Sequence, residues 1–192
     1  MEQQRRDEAW LEALFRAHHR AVLAYAVRRL PGDLADADDV VAEVFAAAWR
    51  HRERVPDEAL PWLYRTAAHH VQHRRRSTAR RSRLADRLGG LGGEGSPTAV
   101  VDATDELVDR IDAAARVARV LDALPPRDAE ALRLSVWEQL DAASIAYVLS
   151  ISPSAVRVRL HRARRRAEHL LAVPDPEAPA LPAPAPVPEE IR

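Results

Sequence analysis

The stretch from Asp141 to Ala163 constrains the fold more than any other, because it can be read almost residue by residue as two short helices with a tight elbow. Asp141 has the side chain of an N-cap, whose carboxylate accepts from the free N–H groups of a first helical turn. Ile145, Ala146 and Leu149 then fall on one apolar face. Ser150 and Ile151 make the elbow, with Ser150 carrying any left-handed backbone at a steric cost that glycine avoids. Ser152 is a second N-cap, and Pro153 takes the first helical position, where a missing N–H costs nothing. Along the second helix Val156, Leu160, Ala163 and Ala167 share the inner side, whereas Ser154, Val158, His161 and Arg165 point outward. Six arginines and no acid lie between Arg157 and Arg166. Solvated helix faces usually mix signs. A capped short helix holding a second helix with small and basic groups outward suits a DNA major groove. The competing reading is an ordinary amphipathic surface helix.

Composition narrows the class. Hydrophobic residues make 47% of the 192-residue chain but aromatics only 5%, so its cores are built from Ala, Leu and Val, which favours helices. The 29 basic residues are all arginine and balance 29 acids, yet the signs are segregated along the chain. An alanine and arginine excess also fits a GC-rich genome. Without cysteine there are no disulfides or thiolate metal sites. With no signal peptide and no membrane-spanning apolar run, the expected location is the cytoplasm, with no membrane insertion.

No convincing strand or repeat occurs, so the expected fold is all-α, with two small helical domains joined by a flexible Gly-rich linker and a helix-turn-helix in the second. The boundaries are 1–77, a linker over 78–112, a second domain over 113–172 and a disordered tail over 173–192. Asp7 to Leu30 reads as one or two helices, with Trp10, Leu14, His18 and Ala21, and Leu11, Phe15, Val22 and Tyr25, at helical spacing. Leu34 to Trp49 is a helix with an apolar stripe from Val40 to Trp49. Asp33, Asp36, Asp38, Asp39 and Glu43 form its acidic side, which dipole compensation explains only in part. After a polar connection comes a helix from Leu60 or Pro61 to about Arg76. Its basic second half carries Arg65, His69, His70, His73, Arg74, Arg75 and Arg76, followed by Arg80, Arg81 and Arg83. That run exceeds one helical turn and suits phosphate contacts. Trp62 and Tyr64 are available to stack on unpaired bases. His69 and His73 have metal-ligand spacing, but no third ligand accompanies them. Gly89 to Gly95 holds five of the six glycines and has no phosphate-loop pattern. Ala113 to Leu124 is a helix stopped by Pro125-Pro126, and Arg127 to Leu140 is another, with Leu132, Val136 and Leu140 inward. Seven of the fourteen prolines follow Val173, in a tail that cannot build a packed core.

Four of these segments, in order, resemble the extracytoplasmic-function (ECF) subfamily of sigma factors, initiation subunits of bacterial RNA polymerase. Asp36-Ala-Asp-Asp-Val-Val-Ala-Glu-Val-Phe45 with Trp49 is similar to that family's acidic helix, DAEDLVQETF…W. Pro61-Trp-Leu-Tyr-Arg-Thr-Ala67 with Arg74-Arg75-Arg76 is similar to WLxxIA…RR. Ala123-Leu-Pro-Pro-Arg-Asp-Ala-Glu-Ala-Leu132 is similar to ALPPxxREVL, and the segment from Ile145 to Ala163 to IAEVLGISVGTVKSRLxRA. The resemblance implies a transcription initiation factor with no chemistry and no cofactor of its own. It implies that Asp36, Asp38, Asp39, Val40 and Glu43 belong to the helix that docks on the clamp helices of the polymerase largest subunit, with Val40 and Phe45 in its core. It assigns Arg52, Arg54, Trp62, Tyr64, Arg65, His69, His73, Arg74, Arg75 and Arg76 to a melted promoter −10 element, read through a flipped base. It assigns Ser152, Ser154, Ala155, Arg157, Val158, Arg159, His161, Arg162 and Arg165 to the −35 duplex. The linker would thread toward the polymerase active-site channel. An anti-sigma protein is a further partner common in the family. Departures fall at Ser144, where the family has glutamate, at Ser150, where it has glycine, and at His69 and His73, in place of asparagine and aspartate; they bear on promoter preference. A stand-alone helix-turn-helix regulator is the alternative, and a helical scaffold a third reading. A regulator has no need of an acidic docking helix beside a basic aromatic one.

Overall fold

The computed structural model describes residues 2–30, 32, 34–87 and 115–172, all within helices, turns and short connections. Helix α1 spans Glu2–Arg29, α2 Leu34–Arg50 and α3 Ala59–Arg87, with a short 3-10 turn at Arg52–Arg54. Helix α4 covers 115–123, followed by α5 (Pro126–Val136), α6 (Ala142–Leu149) and α7 (Pro153–Ala172). No strand occurs among the described residues, and the expected all-α fold with two helical domains is what forms.

Helices α1, α2 and α3 pack mutually into the first domain. α1 has neither glycine nor proline along its length, so nothing divides it. Gly32 ends that run with φ +86°, a left-handed turn that reverses the chain into α2. The α2 stripe is the centre of the domain: Val40, Val41, Val44, Phe45 and Ala48 are buried against Leu14, Val22 and Tyr25 of α1 and Leu63, Ala67 and Val71 of α3. Phe15, at helical spacing with Leu11 and Val22, is 44% exposed and lies edge-on over Phe45 at 4.8 Å.

α3 continues to Arg87, beyond the end at about Arg76 that the basic run suggested. After Pro61, in its first turn, the next glycine or proline is Gly89, and arginines are good helix formers. The first ten residues of the expected linker, 78–87, are therefore helical. The glycine-rich stretch from Gly89 to Gly95 and the tail over 173–192 lie outside the described residues.

In the second domain α5 packs on both α6 and α7. Leu134, Ile145, Ala146, Val148, Val156 and Leu160 are buried there, and Leu121, Leu124, Ala129 and Ala163 form a smaller cluster beneath α4. α5 ends at Val136, short of the expected Leu140, and Val136 is 58% exposed, not inward. The chain leaves the helix through Trp137 and Glu138 into Gln139, whose φ of +53° prevents continuation. The inner face of α5 is carried instead by Ala131 and Leu134.

The domains are not separate in space. α6 packs across α3, and one cluster of buried side chains runs from the three-helix bundle into Ala131, Leu134, Ile145 and Val148.

Candidate nucleic-acid interface

The elbow forms as its side chains require. Asp141 accepts a 2.8 Å hydrogen bond from the Ser144 amide, which also holds its carboxyl below the usual range. Ser150 closes α6 in the left-handed region, at φ 54° and ψ 47°. The Ile151 amide then reaches back to the Ala146 carbonyl at 3.0 Å, satisfying one of the open carbonyls of α6. Ser152 Oγ accepts from the Ala155 amide at 3.2 Å, and Pro153 opens α7.

α7 is held by Val156, Leu160 and Ala163, all buried, which fixes the opposite side toward solvent. Ser152, Ser154, Arg157, Val158, His161, Arg162 and Arg165 are exposed there, with Ala155 and Arg159 at the margin. Arg159 and Arg162 join Arg127 and Arg166 around a shallow basin beside Pro125 and Asp128. The buried Asp128 carboxylate lies 3.6 Å from Arg166, and Arg164 donates to Ser135 Oγ at 3.5 Å. Arg157, Arg159, Arg162 and Arg165 have no ion-pair partner among the described residues. Their charge is available to a phosphate backbone.

The first domain spends its charge differently. Arg74 on α3 is ringed by α2 carboxylates: it pairs with Asp36, donates to Asp39 Oδ2 at 3.0 Å and to Glu43 Oε1 at 3.3 Å. Burial opposes its charge, but the three acids outweigh burial and raise its pKa. His70 Nδ1 contacts the second oxygen of Glu43. Burial lowers the His70 pKa despite that carboxylate, with His69 and Arg50 acting in the same direction as burial. Asp38 remains exposed.

The residues expected at a −10 element thus divide. Arg54 in the 3-10 turn and Arg65, His69, His73 and Arg76 on α3 are exposed, and Trp62 on α3 is half-buried. Arg52 pairs with Asp7 at 3.1 Å and sits over the Trp49 ring. Arg75 donates to the Arg29 carbonyl at 2.9 and 2.7 Å. Tyr64 is corrected outright: it is 3% exposed, with its ring 5.1 Å from that of Tyr25, so it cannot stack on a base in this structure. Burial raises its hydroxyl to about 12, with Glu138 adding to the effect. Val40 is 0% exposed, so it supports the acidic face from beneath and cannot touch a partner. No group of three or more His, Cys, Asp or Glu able to hold a metal occurs among the described residues, His69 and His73 included.

Sequence reasoning missed one cluster entirely. Arg29 at the end of α1 donates to Glu130 Oε1 through Nε at 3.0 Å and Nη2 at 2.8 Å, and to Glu138 Oε1 through Nη1 at 2.8 Å. Its guanidinium lies 3.5 Å over the Tyr25 ring. Burial opposes the Arg29 charge, but Tyr25, Glu130 and Glu138 together raise its pKa. Burial is also the main cause of the raised Tyr25 pKa, against the pull of Arg29. These partners lie more than a hundred residues apart, beyond the reach of any periodicity. In sequence, Arg28 and Arg29 read only as the basic end of a helix.

Residues 14–81 match the Sigma-70 region 2 family and residues 114–166 match Sigma-70, region 4. The chain is 32% identical over 165 residues to the ECF RNA polymerase sigma factor SigL of Mycobacterium tuberculosis, covering 83% of this chain and 87% of that one. It is 30% identical over 170 residues to the RNA polymerase sigma-E factor of Streptomyces coelicolor, covering 88% and 90%. Among solved structures it is similar to the sigma factor RpoE of Bartonella quintana in complex with the anti-sigma factor NepR, with TM-score 0.60 and 19% identity over 85% of this chain and 98% of that one. It is also similar to CnrH in complex with the cytosolic domain of CnrY, with TM-score 0.55 and 24% identity, covering 85% and 88%. At those identities the structural likeness speaks to the fold.

Proposed function

The chain belongs to the extracytoplasmic-function sigma factors of bacterial RNA polymerase, and from that premise we propose how its two faces divide the work. Helix α7 reads the −35 element as duplex, with Ser154, Val158 and His161 toward base edges and Arg157, Arg159, Arg162 and Arg165 toward phosphates. The exposed side of α3, with Trp62, Arg65, His69, His73 and Arg76, holds the −10 element as a single strand, combining an aromatic platform with basic groups. The acidic side of α2, with Asp38 and Asp39 outermost, docks on the largest-subunit clamp helices. The polymerase performs the catalysis. The observation that carries this reading is the contrast on α7: a buried apolar side that fixes the helix, opposite a side of arginines without acidic partners.

The partners are therefore core RNA polymerase and promoter DNA, in the cytoplasm. No described helix is long and apolar enough to cross a membrane. One similar solved structure is a complex with an anti-sigma factor, and by that likeness an anti-sigma protein is a further proposed partner. An acidic docking face beside a basic aromatic helix is superfluous in a stand-alone regulator, which makes that alternative the weaker one. Asp39→Arg tests the docking assignment. Asp39 is exposed beside Arg74, which keeps Asp36 and Glu43 in the variant. We expect unchanged helicity and loss of co-elution with core polymerase. Normal co-elution would remove α2 from the docking face.

A further inference from the structure

The inner line of α7 outlasts its cover. Val156, Leu160 and Ala163 are buried, but the same side continues through Ala167 to Leu171, which is exposed. With α4 and α5 it walls an apolar groove of about 160 Å³. Val117 and Val120 of α4, Leu132 and Val136 of α5, Trp137 and Leu171 form its sides. Val117, Val136, Trp137 and Leu171 are exposed, so four large apolar side chains face water in one place. Contiguous exposed apolar surface of that kind marks a docking site. It belongs to the inner side of α7 and not to the outward arginine face, and it has no role in the division of work above.

The groove has one charged member. Arg133 lines it and is largely buried, yet its ion-pair contacts among the described residues are 3.7 Å to Asp122 and 4.0 Å to Glu130, both longer than a hydrogen bond. Burial lowers its pKa, with Arg29 and Arg75 acting in the same direction, against Glu130 and Asp122. A carboxylate brought into the groove would offset that cost.

A fitting occupant is therefore apolar, carries an acid and reaches this place. The segment after Ala172 has all three properties. It leaves α7 one residue beyond Leu171, itself a wall of the groove. Seven prolines lie between Val173 and Pro188, interleaved with Ala, Leu and Val, and Asp175 and Glu177 come first. Prolines at that density favour the polyproline helix, which turns every three residues and needs neither partner strand nor core. At that period Asp175, Ala178, Leu181, Pro184 and Val187 share one edge. At about 3.1 Å per residue, the chain from Leu171 to Asp175 spans about 12 Å, enough to cross a groove one helix-packing distance, about 8–10 Å, wide. Aromatic-lined grooves seat such segments well, because a preformed extended helix loses little entropy on docking. Trp137 supplies the aromatic ring.

We propose that residues 174–188 of this chain lie in the groove between α4, α5 and α7, with Asp175 toward Arg133 and the edge of Leu181 and Val187 over the apolar walls. A segment that cannot build a core of its own thereby covers one that its neighbours leave open. The groove and its occupant belong to the second domain alone and are independent of the promoter reading.

The full chain has no cysteine, so Ala183→Cys, off the docking edge, carries a single nitroxide. In the full chain with isotope-labelled methyl groups, the Val117, Val136 and Leu171 signals should lose most of their intensity, while Val40 and Val44 of α2 keep theirs. Leu181→Asp with Val187→Asp changes nothing in the described helices, and should restore the groove signals. Groove signals that keep their intensity in the nitroxide-bearing parent, or that stay weakened in the double variant, would overturn the docking. Mixing isotope-labelled chains that lack nitroxide with nitroxide-bearing chains that lack isotope tests for a second copy. Unchanged signals in that mixture support the intramolecular seat. Loss of the groove signals there would place a neighbouring chain in the groove and overturn it.

Discussion

Helices α3 and α7 are both long, basic and amphipathic, yet they use arginine in opposite ways. On α3, Arg74 is surrounded by Asp36, Asp39 and Glu43, and Arg75 is tied to the Arg29 carbonyl. On α7, only Arg164 and Arg166 find partners within the described residues, and Arg157, Arg159, Arg162 and Arg165 are left without an acidic partner there. The difference comes from the neighbours. α3 lies against a helix with an acidic side, whereas α7 lies against α5 and α6, whose contact faces are apolar apart from Asp128 and Ser135 of α5. A run of arginine in sequence therefore states a charge but not its employment. The packing partner decides whether it becomes a structural tie or a binding surface.

The same comparison orders the substitutions that would break or sharpen it. Tyr64→Ala should have the largest effect. As a core residue it should cost about 3 kcal/mol in denaturant unfolding, through lost burial and a residual cavity. A loss below about 1 kcal/mol, with weakened single-strand binding, would return Tyr64 to the DNA face. Arg74→Ala comes next, with an expected cost of about 2 kcal/mol, since three charge-assisted bonds are lost at a site only partly shielded from water. An unchanged melting curve would show that Arg74 is free for phosphate. Arg157→Ala and Arg159→Ala should each leave stability unchanged and weaken −35 duplex binding about tenfold at low salt, with the salt slope reduced by about one per arginine. A loss independent of salt would show that these residues do not meet phosphates. Ser150→Gly is the smallest change and of opposite sign. It should stabilise the second domain by about 1 kcal/mol, because glycine occupies the left-handed region without the Cβ conflict that serine carries. Destabilisation would mean that the Ser150 side chain has a role the backbone does not explain.

The legible parts of this molecule were those in which cause and effect sit within one helical turn or two. The caps at Asp141 and Ser152, the left-handed Ser150 and the inner line of Val156, Leu160 and Ala163 all follow from local chemistry, and all were readable. Where a residue's environment depended on a distant segment, local reading gave out. Tyr64 looked like an exposed aromatic among basic residues, but Tyr25 covers it. Val136 looked inward on a longer helix, but the chain breaks at Gln139 and Leu134 takes the core. The end of α3 differs for another reason: after Pro61 no breaker precedes Gly89, so the helix runs on to Arg87, past the expected end at about Arg76. The Arg29 cluster joins residues more than a hundred positions apart, and only the folded arrangement brings them together.

The most direct test of the central claim is run-off transcription with purified core polymerase, with and without this protein, on a genomic promoter library read by sequencing. A sigma factor predicts transcripts that depend on the protein and share two upstream motifs at fixed spacing. No protein-dependent transcript, with duplex binding by α7 still visible in a gel shift, would contradict initiation and leave a stand-alone DNA-binding protein.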